Sequence, residues 1–155
     1  MRLLFKQRMF SWFASYDVFD ENGYTVFSVE GQLDWGHRQH ILDSEGHHIA
    51  TVRQRIMTWL PKFEMFIGDD KVGEVHREFS LVPRYNIDFN GWQVRGDFPG
   101  WDYQITDQYG NLVASLSKEL FHMTDHYVID VLDPQDALCV LMLTIAIDAD
   151  KSSNS

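Results

Sequence analysis

A chain of 155 residues with 45 % hydrophobic and 14 % aromatic content is long enough for one packed core and too apolar to be disordered. Thirteen basic residues against 23 acidic ones leave a net charge of −10. That balance excludes nucleic acid as the main partner and weakens generic attraction to anionic membranes, because phosphate contacts need a basic face.

The N-terminal stretch Met1–Arg8 holds an apolar run of three residues, Leu3–Phe5, too short for the core of a secretory signal. The lone cysteine, Cys139, rules out an intrachain disulfide and fits a reducing compartment, so a cytoplasmic protein is expected. Beyond the start, one phrase repeats: Asp20-Glu21-Asn22-Gly23, Asp43-Ser44-Glu45-Gly46 and Asp107-Gln108-Tyr109-Gly110 each separate two short runs rich in Val, Ile, Phe and Tyr. In each, the Asp side chain can accept backbone N–H bonds of a type I turn, and the Gly can take the left-handed position that starts the returning strand. Weaker copies stand at Gly68–Lys71 and Asp88–Gly91.

The returning strands share a second signature. Val26-Phe27-Ser28-Val29, Ile49-Ala50-Thr51-Val52, Val72-Gly73-Glu74-Val75 and Val113-Ala114-Ser115-Leu116 align, and strand alternation puts Ala50, Gly73 and Ala114 on the same face as Val52, Val75 and Leu116. Small inward residues would leave room for something inside. The connections repeat as well: 6–16 matches 53–63, and 57–63 matches 79–85, with a further variant at 121–127. The period is roughly 22 residues, one two-stranded unit per repeat. About twelve strands follow, over 2–7, 15–20, 24–30, 38–43, 48–55, 62–67, 71–77, 84–89, 92–97, 102–106, 111–118 and 126–131. No linker divides them, so 1–150 reads as one domain followed by a polar tail, 151–155.

The last element differs in kind. Asp133–Ile147 begins with an N-cap Asp133, Pro134 at the first helical position and Asp136 in the first turn. From Ala137 to Ile147 only Thr144 is polar, and a helical Thr can satisfy its hydroxyl one turn back. A helix apolar all round is core or membrane span, and this run is about half the roughly 20 residues a span needs. The expected fold is therefore mainly β with one central helix: an antiparallel closed barrel of about twelve strands around a buried C-terminal helix, with Leu138, Leu141, Met142 and Ile145 as its core positions. A twelve-stranded barrel is wider than its own side chains fill and needs a plug. A helix about 10–12 Å across is one, and fourteen helical residues match the strand length at roughly 21 Å.

At this point the chain resembles the LURP-one-related family, whose fold is shared with the Tubby C-terminal domain and the phospholipid scramblases. The resemblance rests on the opening LLFKQRMFSW, the D-x-x-G hairpins followed by V/I-A-x-V, GWQVRGDF at 91–98 and the terminal DPQDALCVLMLTIAID, in that order, and it covers nearly the whole chain. It implies a twelve-stranded barrel around a C-terminal helix. It also implies lipid- or membrane-surface chemistry, since Tubby domains bind phosphoinositides and scramblases associate with membranes and bind calcium. The chain departs from that chemistry in its acidic balance and in lacking a cysteine-rich stretch ahead of the barrel.

Six cations could form a basic patch for a lipid headgroup: Lys6, Arg8, Arg53 and Arg55, paired by two-residue spacing on strands, with Lys62 and Arg84 near strand starts. Ion pairs of these residues to Asp17 or Glu64 are the plainer reading. His37, His40, His47 and His48 cluster on one hairpin, and His122 and His126 flank another turn; surface imidazoles are the expectation there, with no metal. Asp130, Asp133 and Asp136 recur every third residue, but Asp133 has a capping role and calcium wants six to eight oxygens. Trp12, Trp59, Trp92 and Trp101 read as core or barrel-end caps, and an exposed pair would point to a membrane or protein contact. No nucleophile elbow, Walker loop, Rossmann glycine pattern or paired acid and base stands in the sequence.

The reading is a non-catalytic binding or adaptor module without a cofactor, cytoplasmic and peripheral at the inner membrane surface, with lipid headgroups or a protein as partner. The alternative is a small-molecule carrier or enzyme with a pocket at a barrel end. The buried helix carries the whole scheme. Leu141→Asp is expected to abolish folding, since an unpaired buried carboxylate costs several kcal/mol against a total stability of about 5–15 kcal/mol; circular dichroism of the purified variant checks it.

Overall fold

The computed structural model describes residues 1–6, 15–32, 37–55, 58–82, 84–121 and 124–153. Twelve strands precede one helix: β1 Arg2–Phe5, β2 Ser15–Phe19, β3 Thr25–Gln32, β4 Arg38–Asp43, β5 His48–Arg55, β6 Lys62–Ile67, β7 Asp70–Arg77, β8 Tyr85–Asp88, β9 Gln93–Asp97, β10 Asp102–Thr106, β11 Leu112–Phe121 and β12 Thr124–Val131. Helix α1 spans Ala137–Ser153, after a 3-10 turn over Pro134–Asp136.

The D-x-x-G turns form as their residue types require. Asp20, Asp43 and Asp107 each accept two backbone N–H bonds on one carboxylate oxygen at 2.9–3.0 Å, from the residues two and four positions on. Gly23, Gly46 and Gly110 sit at φ +85°, +86° and +85°, and each donates to its Asp carbonyl at 3.1 Å. These turns make sequence neighbours into sheet neighbours. The strands form one antiparallel sheet in the order β8-β7-β6-β5-β4-β3-β2-β1-β12-β11-β10-β9. Only the β1–β12 step is not sequential, and there the chain's first strand pairs with its last, Arg2 opposite Asp130 and Phe5 opposite Tyr127. The sheet curls into a nearly closed barrel.

The core is the inner face of that sheet and the whole of α1. Val140, Leu141, Met142, Leu143, Ile145, Ala146 and Ile147 are all buried, and so are the inward strand residues Val29, Ile41, Val52, Met65, Val75, Ile105, Leu116 and Ile129. Leu138 and Cys139, at the start of the helix, are half-buried. The Asp133 carboxylate accepts the Gln135 N–H at 3.0 Å, and the Thr144 hydroxyl donates to the Val140 carbonyl at 2.8 Å. Both are the local bonds those positions predict.

Two expectations need correction. The helix does not stop at Ile147 but runs to Ser153, because Asp148 and Asp150 are buried within the barrel rather than released to solvent. The Tyr85 hydroxyl donates to Asp150 Oδ2 at 2.8 Å, so this charged turn has a partner inside. The connection expected over 121–127 is mostly strand, since the β11–β12 ladder continues through Lys118–Tyr127 to Phe121–Thr124. The expected barrel is there, nearly closed, with one seam: among the described residues β8 and β9 have no ladder partner on their outer edges.

The small inward residues divide their work. α1 approaches β5 and β7 most closely, the strands that carry Ala50 and Gly73. Gly73 also admits Phe89: a Cβ there would lie 2.6 Å from the Asp88 carbonyl oxygen and 2.6 Å from Phe89 Cδ2. One of those contacts is backbone, so the clash cannot be relieved by a side-chain rotation. Gly73→Ala is expected to lose about 1–3 kcal/mol by overpacking, read as a lower urea midpoint with an unchanged m-value.

Candidate functional site

The outer face of β4–β7 carries a charged band. Strand register sets Arg38 opposite Arg53, Arg53 opposite Glu64, and Glu64 opposite Glu74. Arg53 donates to Glu64 at 3.0 Å, Lys71 reaches both Glu64 (2.9 Å) and Glu74 (2.8 Å), and Lys62 reaches Glu74 at 3.0 Å. Burial pushes the Glu64 carboxyl up, but hydrogen bonds from Lys71 and Arg53 outweigh it and hold the group below the usual carboxylate range. Lys71 and Lys62 likewise lower Glu74.

The six predicted cations do not converge. Lys6 lies over the Phe19 ring, 5.2 Å from its centroid, at the β1–β2 end and three strands from β5 in the sheet order. Arg8 falls outside the described residues. Arg53 stacks on Phe66 at 4.9 Å while bonded to Glu64, and Lys62 is held by Glu74. Arg55 and Arg84 are exposed, and Arg55 sits directly across the ladder from Lys62.

The other candidates hold structural positions. His47 contacts Asp43 at 3.1 Å, His48 bonds the Ala50 carbonyl and Thr51, and His40 stacks on His48 with centroids 3.9 Å apart. His122 is outside the described residues. Asp130 accepts from Arg2 Nε at 2.7 Å, beside an Arg2–Glu119 pair of the same length, which fastens β1 to β12 and β11. Burial, then the neighbouring Asp133, raises the Asp136 carboxyl. Among the described residues no three His, Cys, Asp or Glu side chains converge on a common metal position. Burial raises the half-buried Cys139 thiol above its ordinary value.

A buried polar group closes the C-terminal end of α1. Tyr16 and Tyr103 bury their hydroxyls there, and burial followed by the charge of Asp148 raises both phenols well above the ordinary value. Burial, then Asp150, raises Tyr85 in the same direction. The sequence reading missed this group, because carboxylates after an apolar run look like a helix leaving the core.

What stands out on the surface lies at that same barrel end. In an up-and-down sheet alternate connections share an end, so the β5–β6 and β7–β8 connections are neighbours. Their tips are apolar and bare. Trp59 is 88 % exposed, Phe79 84 %, Leu81 106 % and Val82 57 %. The Trp59 and Phe79 rings stack at 6.2 Å, and the Arg77 N–H donates to the Pro61 carbonyl at 3.3 Å, tying the two loops together. Trp92 and Trp101, by contrast, are buried. The signal for this pair was present in the repeat that aligns 57–63 with 79–85: it sets Trp59 against Leu81 and Leu60 against Val82. Only the sheet order showed that the two copies lie side by side.

Next to these loops a groove of about 920 Å³ runs between β8 and β9, and a smaller one of about 380 Å³ lies between the loops themselves. No helix among the described residues is long and apolar enough to cross a membrane.

Comparison with known proteins agrees with this architecture. A family model described as LURP-one-related matches residues 1–148. A Bacillus subtilis (strain 168) protein, described as the uncharacterized protein YxjI, is 29 % identical over 150 residues, 96 % of this chain and 92 % of that one. The X-ray structure of an Arabidopsis thaliana protein superposes with a TM-score of 0.62 over 92 % of this chain and 88 % of that one, at 14 % identity, a likeness of fold.

The buried tyrosines give the fold a pH signature. In the unfolded chain they titrate near pH 10, while in the folded protein they keep their protons to higher pH. Their contribution is complete below about pH 10 and is lost as pH rises beyond it, because there the unfolded state binds fewer protons. Urea unfolding is expected to show a midpoint that falls steeply above about pH 10, with the part of the tyrosinate absorbance that belongs to Tyr16, Tyr85 and Tyr103 appearing only as the protein unfolds.

Proposed function

The chain belongs to the LURP-one-related family, and on that premise we propose that it is a non-catalytic binding module that attaches peripherally to a lipid surface through its paired loops. The observation that carries this reading is the exposure of Trp59, Phe79, Leu81 and Val82 on two adjoining loop tips. An aromatic pair and two aliphatics at the outermost points of a fold suit the headgroup–acyl boundary, where indole and aliphatic side chains partition well. Arg55 and Arg84, exposed near the bases of the same loops, would stand at headgroup level.

Attachment would depend on apolar insertion more than on charge. The protein carries a net −10, and Arg53 and Lys62 are already neutralised by Glu64 and Glu74. Insertion of each large apolar side chain contributes up to about 1.5–3 kcal/mol. The non-catalytic part of the reading is supported by the tasks that carboxylates already hold in turns, in the band on β5–β7 and against Arg2. The alternative, a small-molecule carrier or enzyme, needs a deep apolar pocket at a barrel end. Helix α1 fills the interior, and the groove between β8 and β9 is lined by exposed Asn86, Gln93 and Arg95 as well as by Tyr85 and Phe98.

Co-sedimentation with phosphatidylcholine–phosphatidylserine vesicles tests the proposal. The protein is expected to bind, with little loss on raising salt. A Trp59→Ser, Leu81→Ser double variant should bind at least about tenfold more weakly while melting normally. Reversing Arg53 and Arg55 to Glu should have a smaller effect. Absence of binding by the parent protein, or equal binding by the double variant, would overturn the reading.

A further inference from the structure

Among the described residues the barrel wall has one break, and its chemistry is that of a missing strand. β8 and β9 are joined by Phe89-Asn90-Gly91-Trp92, with Asn90 and Gly91 at φ +57° and +69° and the Trp92 N–H donating to the Phe89 carbonyl at 3.0 Å. Two left-handed residues, Asn then Gly, form the turn that most strongly favours a paired two-stranded hairpin. Yet the ladder does not continue: β8 bonds only β7, and β9 only β10. The two strands leave a hairpin turn and part, and their outer edges border the groove of about 920 Å³.

We propose that this seam accepts an extended peptide segment of a partner protein, which adds as a strand between β8 and β9 and completes the barrel. Three observations fix the occupant. First, both walls are strand edges, so an occupant that satisfies them must offer N–H and C=O groups on two opposite sides at once. A single extended chain does so; the edge of a second barrel offers one side only. Second, a strand takes up about 4.8 Å across the sheet, 3.4 Å along it and 10 Å through it. Four residues then need about 650 Å³, and the groove holds that. Third, the lining alternates. Tyr85, Ile87 and Val94 are half-buried against the core, with Phe98 buried beside Tyr85 at 5.1 Å between ring centroids, while Asn86, Asp88, Gln93 and Arg95 are exposed. The segment it fits is therefore alternating, with small apolar residues turned onto Tyr85, Ile87 and Val94 and polar ones outward.

The turn also sets direction. At Phe89–Trp92 the two strands are too close for a third, which needs about 9.6 Å between its neighbours, so the segment enters from the end near Arg84 and Pro99 and pairs over its last few residues. The seam adjoins the loop pair, with Val82 and Arg84 on the rim of its groove, but its lining does not include Trp59, Phe79 or Leu81, so strand addition does not depend on the lipid reading.

Hydrogen exchange on the intact protein tests the inference, with acetyl-Lys-Val-Thr-Val-Thr-Val-Lys-amide as the probe at about 1 mM. In the free protein the amides on the outer edges of β8 and β9 should exchange fast, unlike those of β3–β5. The peptide should slow them by at least about tenfold and leave other strands unchanged. The same peptide N-methylated at alternate residues should protect at most one of the two edges, because its methyl groups block pairing on one side. Ile87→Asp should abolish protection at a temperature where circular dichroism shows the variant still folded. No protection by the peptide, equal protection by its methylated form, or edges already protected in the free protein (a seam closed on itself or on a second copy) would each overturn the proposal.

Discussion

The structure depends on one constraint: a helix with no polar face must be surrounded. Residues 137–147 hold a single hydroxyl, and that hydroxyl is satisfied within the helix by the Val140 carbonyl. No one-sided layer of strands can bury such an element, so the sheet curves around it. Twelve strands enclose more space than their own side chains fill, and the helix occupies the surplus. The wall and the plug are each incomplete without the other. Ala50 and Ala114 face inward because the helix lies there, and the helix carries large residues on every side because strands lie on every side.

The same constraint decides where function can sit. With the interior filled, chemistry is displaced to the wall and the ends. The wall between β5 and β7 is occupied by mutual ion pairs, Arg53 with Glu64 and Lys62 and Lys71 with Glu74, which hold strands together and leave little net charge to offer. What remains for a partner is the apolar loop pair at one end and the seam between β8 and β9. A module built this way can hold a surface with its loops and a chain segment with its edge.

Much of this was legible beforehand, and the reasons are local. The D-x-x-G turns are readable because one carboxylate and one left-handed glycine determine a turn without help from the rest of the chain. The strand positions follow from those turns, and the burial of Leu141, Met142 and Ile145 follows from the missing polar face. The end of the helix was misread because Asp148 and Asp150 have the residue type of a solvent-facing stop, and nothing near them in sequence identifies Tyr85, sixty-five positions from Asp150, as a partner. The basic patch failed to assemble for a similar reason. Spacing on a strand says which cations share a face, but not that Glu64 and Glu74 lie opposite them or that Lys6 lies three strands away.

Local chemistry sets the pieces: hairpins, their order, a greasy helix, and matching connections at 57–63 and 79–85. Each is set by interactions within a few residues, so each can be read from a few residues. Long-range packing is what brings β1 to β12 and the two loops together, buries two carboxylates with tyrosines, and parts the strands that follow an Asn-Gly turn. Those outcomes rest on curvature and packing summed over the whole sheet, and no short stretch of chain contains that sum.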